Sequence, residues 1–565
     1  MKKTFLLSCL MLAAMPVMAA YTGHVYVDKN KNGVFDQSEK PLAGIKVSDG
    51  LNVVETAADG SFTLPGHERE RFIFITTPSG YKTFNRHYHK IEKKQSGYDF
   101  DLIPYSGRIR KDGSHRYIHI TDTEIFNTEN HADWVNNVHD YARNEQAAFI
   151  IHTGDICYEK GLKAHIKLMN TENMDCPVFY CIGNHDLVKG KYGEELFESI
   201  YGPVYYSFDA GNVHYVVTPM PGGDHAPGYT SDDVCRWLKN DLTHIRPGTP
   251  VVVFNHDLLT YEDTFIFKSK NAGSINLNEY NLKAWVYGHW HINYMKKQGD
   301  VYSVCTSSLD KGGIDHSTTA FRVMHVDSKG DFTSELRYTY LDKNICIASP
   351  AGVMASGVLP VAVNVYSSVS PVREVLYTCL ADGKPVLKNK RLLQSTDWSW
   401  NGELPLSHKY VGKELTLRVT ARFNNGEIAE AESNFICRTE KTVPLFSADW
   451  DNLSGNAKHS APVSAPLNLP LQLAWTNNVG ANLYMTSPLI HKGKVIVASV
   501  DEDLKGAGHV YALNGKDGTI LWSCPVRNSI KNSIAVDSDI VFAQDAQGFL
   551  YAIDTETGKL CWEKQ

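Results

Sequence analysis

Apolar and polar positions alternate along residues 21 to 104, in short runs such as GHVYV, IKVSDG and RFIFIT separated by Gly and Asn turns. A period of two sends one face of each strand to a core and the other to water, so the pattern predicts a small β-sandwich. From about 105 to 345 apolar β-type runs alternate with segments of helical period. HADWVNNVHDYARNEQAAF places Trp134, Val138, Tyr141 and Ala142 on one helical face between the strands YIHITD and FIIHTGD, which makes an α/β unit. Residues 346 to 440 return to β texture in VAVNVYSS, VREVLYTCLADG and LTLRVTARFNNGE, and an immunoglobulin-like sandwich is expected there. A polar link with Pro and Ser near 441 to 470 leads to a repeat. VYALNGKDGTILW from 510 and LYAIDTETGKLCW from 550 match position for position, at a period of about 40 that suits a four-stranded propeller blade.

The predicted architecture is therefore multidomain, α/β plus all-β. At 565 residues the chain is too long for one core, and about 150 residues per domain suggests three or four. Residues 1–20, MKKTFLLSCLMLAAMPVMAA, run from two lysines through a short apolar stretch to small residues. That order reads as a secretory signal cut near Ala19 or Ala20. No later segment has the roughly 20 unbroken apolar residues of a membrane span, so an exported protein is expected: periplasmic, secreted or held at the cell surface by a partner. Removing Lys2 and Lys3 takes the formal charge from −7 to −9, with no basic block anywhere, which argues against nucleic acid and anionic membrane as partners. Of eleven cysteines, ten remain without Cys9, and their spacing fits no zinc pattern. Cys157, Cys176 and Cys181 lie in or beside apolar strand-like runs, as buried free thiols do.

Two stretches have cation-binding character. DKNKNGVFDQSE puts Asp28, Asn30, Asn32, Gly33, Asp36 and Glu39 at positions one, three, five, six, nine and twelve of a calcium-loop template. Its flanks are strand-like, so it resembles the calcium loops in β-repeats of bacterial adhesins; an Asx-rich turn needing no ion is the alternative. The second is a series of strand endings: Asp122 with Glu124, Gly154-Asp155, Gly183-Asn184-His185-Asp186, Asn255-His256 and Gly288-His289-Trp290-His291. In open α/β sheets the site lies beyond the carboxyl ends of strands, where such endings can converge.

This order resembles the calcineurin-like metallophosphoesterases, whose signature runs D-x-H, G-D, G-N-H-D/E, H, G-H-x-H, and the layout resembles exported bacterial members with N- and C-terminal β domains. The resemblance implies an αββα sandwich over 105–345 between two β-sandwiches. It also implies two divalent cations of Mn, Fe or Zn type, bridged by Asp155. Asp122, His291 and residue 124 would complete one metal, and Asn184, His256 and His289 the other. A metal-bridged hydroxide would then attack a phosphomonoester or phosphodiester, with His185 as general acid and Asp186 as its orienting partner. Residue 124 departs from the family, which usually has His there. Strand alternation puts Asp122 and Glu124 on one face and His119 on the other, so His119 cannot substitute. Glu124 is read first as a ligand; a weak or empty first site, or a relic, are the alternatives.

The two C-terminal repeats resemble blades of pyrroloquinoline-quinone-type propellers, with Trp522 and Trp562 as the packing tryptophans. Two blades cannot close a ring that usually needs at least four, so no quinone is expected. Either the chain is truncated or a protein partner covers the open edge. The small phosphorylated substrate is not specified, although His225 and His316 lie in loops that could touch it. The rival expectation is a non-catalytic periplasmic or surface binding protein built on a degenerate metal site.

Overall fold

The computed structural model describes residues 20–220, 226–439, 448–460 and 473–565. The signal segment up to residue 19, most of the 441–470 link and His225 lie outside the described residues. Every cysteine within them is free, eight of the ten buried and Cys346 and Cys561 exposed.

The central region holds two sheets. The first joins strands β1 (His115–Ile120), β2 (Phe149–His152), β3 (Val178–Tyr180), β10 (Ala320–Val326) and β11 (Phe332–Tyr338) in the order β3-β2-β1-β10-β11. The second joins β4 (Tyr206–Ala210), β5 (Val213–Val217), β6 (Val251–Phe254), β7 (Leu282–Tyr287), β8 (Tyr294–Gln298) and β9 (Val301–Cys305) in the order β4-β5-β6-β7-β9-β8. β1, β2 and β3 run parallel, as do β5, β6, β7 and β9, so the chain leaves β1, β2 and β3 at one edge and β6 and β7 at one edge.

Aromatic rings fill the space between the sheets. Tyr117 and Phe149 of the first stack at 4.7 Å, and Phe149 meets Tyr215 of the second edge-on at 4.9 Å. Helix α1 (Ala132–Asn144) buries Trp134, Val138, Tyr141 and Ala142, the face its period predicts, against Ile118, Ile120, Ile150 and Val323. Helix α2 (Tyr158–Leu168) follows β2, and α3 (Glu194–Tyr201) precedes β4. Helix α4 (Ser231–Thr243) begins at a capping box between Thr230 and Asp233, and its Trp237 lies against Phe74 of the N-terminal region.

Residues 21–104 form a five-stranded and a four-stranded sheet around one apolar cluster that includes Val25, Phe62, Ile73 and Phe100. The Asp28–Glu39 loop closes on itself. Asp28 is buried and accepts the amides of Lys31, Asn32 and Gly33, while Glu39 accepts those of Lys29 and Asp36. Asp28→Ala takes the buried acceptor from three amides of exposed or half-exposed residues, a net loss of about 1 kcal/mol for each hydrogen bond. A destabilisation of about 3 kcal/mol in denaturant titration is expected, equal in calcium and in chelator; a loss seen only in calcium would make the loop a cation site.

Residues 344–438 form sheets of four and five strands around a core that includes Val363, Trp400, Leu417 and Phe423. Residues 489–564 form two antiparallel four-stranded sheets. Trp522 of the first reaches the second: its indole N–H donates to the Thr555 carbonyl at 3.0 Å, and its ring fills the space that a side chain at Gly558 would need. Trp475 treats Gly515 and Gly518 in the same way. Trp562 stands at the equivalent position of the second sheet but is 46% exposed, because no sheet among the described residues covers it.

Candidate metal centre

Each strand that points at the site stops two to four residues short of a metal-competent side chain. β1 ends at Ile120 before Asp122 and Glu124; β2 at His152 before Asp155; β3 at Tyr180 before Asn184; β6 at Phe254 before His256; and β7 at Tyr287 before His289 and His291. The backbone then turns abruptly. Asp122, Glu124, Asp155, His289 and His291 all have left-handed φ, between 44° and 64°, a region that L-residues other than Gly, Asn and Asp seldom enter. Strained backbone gathered at one spot is a mark of functional sites. It also replaces the strand alternation expected to group Asp122 with Glu124: the strand has already ended, and the turn conformation brings them together. His119 points elsewhere and is buried between Thr153 and Thr306.

Three glycines make room for the cluster. A side chain at Gly183 would strike Asp155, one at Gly154 would meet the His256 ring, and one at Gly288 would meet Thr121 and Asp122. The Gly of each motif is thus a packing requirement of its neighbouring ligand.

The ligand atoms form two triads with one shared member. Asp122, Asp155 and His291 offer atoms within 4.8 Å of one another, and so do Asp155, His256 and His289. Asp122 and Asp155 are almost wholly buried. His291 Nε2 lies 3.2 Å from Asp122, His256 Nε2 lies 3.2 Å from Asp155, and Asn184 Oδ1 lies 3.0 Å from His256 Nε2. His256 Nδ1 donates to the Thr153 carbonyl at 2.7 Å, which fixes the tautomer that presents Nε2 to the centre. Burial opposes charge on both members of the Asp155–His256 pair, yet their proximity holds the carboxyl below and the imidazole above their ordinary ranges. His291 is raised by its hydrogen bond to Asp122, whereas burial and the neighbouring His256 lower His289. One further carboxylate, three imidazoles and an amide oxygen around a shared aspartate fit a pair of borderline divalent cations.

Glu124 is half-buried at the edge of this group. Its Oε1 lies 3.7 Å from His185 Nδ1 and 3.9 Å from His291 Nε2, and its Oε2 pairs with Lys311 Nζ at 3.2 Å. Lys311 also donates to the carbonyls of Thr123 and Glu124. Sequence reasoning missed this lysine, which stands 187 residues away in a stretch with no motif. His185 is about half exposed, and its ring nitrogen is 3.8 Å from Asp155. Asp186 does not orient it. Its two oxygens accept the amides of Cys157 and Gly183 in the buried interior, and burial with the nearby Asp155 charge pushes its carboxyl up to about 7. Asp186 ties the β2 loop to the β3 loop, and the acids beside the His185 ring are Glu124 and Asp155. His316 is exposed in the loop whose Ile314 amide donates to the His291 carbonyl.

Residues 115–293 match the family model for calcineurin-like phosphoesterase, and residues 29–104 that for the N terminal of calcineurin-like phosphoesterase. The chain carries a calcineurin-like phosphoesterase domain. Beyond it, residues 472–565 match the model for outer membrane protein assembly factor BamB. Over 215 residues the chain is 26% identical to purple acid phosphatase 13 of Arabidopsis thaliana, a match that takes in 36% of each protein. It therefore spans about a third of the curated relative's length. Among solved structures, a predicted phosphoesterase from Streptococcus pneumoniae is 12% identical, covering 40% of this chain and 90% of that one at a TM-score of 0.22. BamB from Moraxella catarrhalis is also 12% identical, covering 43% and 58% at a TM-score of 0.13. At those scores neither structural likeness bears on the fold or on the phosphoesterase site.

Proposed function

We propose that this chain is an exported, metal-dependent phosphoesterase. In this reading an αββα core over 105–345 sits between β-sandwiches at 21–104 and 346–440, with a partial propeller after them. The observation that carries it is the pair of ligand triads sharing Asp155. When bound, two divalent cations would polarise the phosphoryl oxygens and acidify a coordinated water. Asp122 and His291, with Glu124 at the margin, would hold one cation; Asn184, His256 and His289 would hold the other. His185, exposed beside the centre, is placed to give a proton to the leaving oxygen, with Glu124 Oε1 at 3.7 Å and Asp155 Oδ2 at 3.8 Å from its Nδ1.

The charge balance gives Lys311 a role. Three carboxylates would leave a two-metal site one charge less positive than two carboxylates do, and the ammonium beside Glu124 restores that charge. Aromatic pairs on the ligand loops, exposed at Phe126, Tyr158 and Tyr261 and half-buried at Trp290, bear on the leaving group. Phe126 stacks on Tyr158 at 6.0 Å, and Tyr261 on Trp290 at 5.9 Å. Rings of this kind favour a leaving group with a flat apolar face.

Elemental analysis and hydrolysis assays test the proposal together. Two metals per chain are expected, with turnover of an aryl monophosphate or a bis-aryl phosphate in the presence of Mn, Fe or Zn; the preferred ester identifies the substrate class. Protein that takes up no metal after loading and cleaves neither ester would instead be a binding scaffold.

A further inference from the structure

Two series of polar contacts, the first largely buried and the second half-buried, run from the C-terminal repeats into the metal centre. The first begins at Asp503. Its Oδ1 lies 2.5 Å from the guanidinium of Arg322 on β10 and accepts the Ser334 hydroxyl at 2.7 Å. Arg322 has no exposed surface, and a buried guanidinium needs a compensating charge close by. Arg322 Nε donates to Thr306 Oγ1 at 3.2 Å, and that hydroxyl contacts His119 Nδ1 at 2.8 Å. His119 Nε2 contacts Thr153 Oγ1, also at 2.8 Å. The directions are consistent: a hydroxyl that accepts from Arg322 gives its own proton to Nδ1, leaving Nε2 of a neutral ring to donate to Thr153. The Thr153 carbonyl then accepts from His256 Nδ1.

The second series begins at Lys531. Its Nζ donates to the Asn293 carbonyl at 2.7 Å and to Asp315 Oδ2 at 2.8 Å, and forms an ion pair with Glu502 Oε1 at 2.7 Å. Asn293 is two residues beyond His291. Asp315 belongs to the loop whose Ile314 amide donates to the His291 carbonyl at 2.9 Å. Beside these contacts, Asn528 donates to the Met295 carbonyl in buried surroundings. The repeats therefore grip both ends of the metal-binding edge, at β10 behind His256 and at the turn that carries His291.

We infer that the C-terminal repeats are a working part of the metal centre, with Asp503 and Lys531 as positioning residues, the first for His256 through Arg322 and the second for His291 through its loop. This rests on reading the centre as a two-metal site. Partners that orient metal ligands are worth about 10- to 100-fold in metal affinity or activity when removed.

The test uses the full-length chain and the variants Lys531→Met, Lys531→Arg and Asp503→Asn, each titrated with Mn or Zn and assayed on an aryl phosphate. Lys531→Met is expected to weaken one of the two metals about tenfold and to lower kcat with little change in KM, and Lys531→Arg to recover most of both. Asp503→Asn, which keeps its shape and stands in should Lys531→Met not fold, is expected to weaken a metal to a similar extent. Wild-type protein that binds two metals, with variants identical to it in affinity and kcat, would overturn this inference alone. Wild-type protein that binds none would overturn the two-metal reading and this inference with it.

Discussion

Replacing Asp155 with Asn is expected to lower kcat/KM on aryl phosphates by at least about a thousandfold and to reduce bound metal from two ions to one or none. Asp155 is the residue common to both triads, it is nearly inaccessible to solvent, and it lies within 4 Å of the His256 and His185 rings. Asn keeps the shape and tolerates the left-handed backbone that Asp155 adopts at φ 55°, so the loss reports charge and ligation rather than a disturbed turn. Ala would add backbone strain to the same loss and is the less discriminating variant. Elemental analysis beside a thermal melt separates the outcomes. A variant that melts like the wild type, keeps two metals and hydrolyses unchanged would remove Asp155 from the bridging position.

Lys311→Met is expected to lower kcat/KM by about 10- to 100-fold and to weaken inhibition by inorganic phosphate. The methionine stem fills similar volume but leaves the Glu124 carboxylate beside the centre without its counter-charge. Glu124→Gln should act with the opposite sign on phosphate inhibition, because it removes the third carboxylate while Lys311 stays. In a Glu124→Gln background Lys311→Met should have a much smaller effect than in the wild type, a coupling that a double-mutant cycle measures directly. If Lys311→Met leaves both kcat/KM and phosphate inhibition unchanged, the lysine serves only to hold the Thr123 and Glu124 carbonyls. Single effects that simply add would place Glu124 and Lys311 outside one another's influence.

The helical face of Trp134, Val138, Tyr141 and Ala142 was legible because period and burial coincide in one short segment. The gathering of the motif residues at one edge was legible for another reason: each motif couples a strand ending to a small set of donors, and the glycines beside them are steric necessities. What could not be read is pairwise and distant. Lys311 acquires meaning only once its loop folds over Glu124, and Arg322 reads as an ordinary residue of an apolar strand until Asp503, 181 residues later, comes to rest against it. Asp186 misled because adjacency to His185 suggested partnership, whereas the sharp turn at that loop sends the two side chains in different directions. Glu124 was assigned the right neighbour by the wrong geometry, since a period of two cannot apply beyond the end of β1.

The left-handed conformations at Asp122, Glu124, Asp155, His289 and His291 set heat resistance and chemistry at odds. Glycine would settle into these turns with less resistance than histidine or glutamate does. Selection for a higher melting temperature alone would therefore be drawn toward the very positions proposed to hold the cations, and would favour a sturdier chain stripped of those donors.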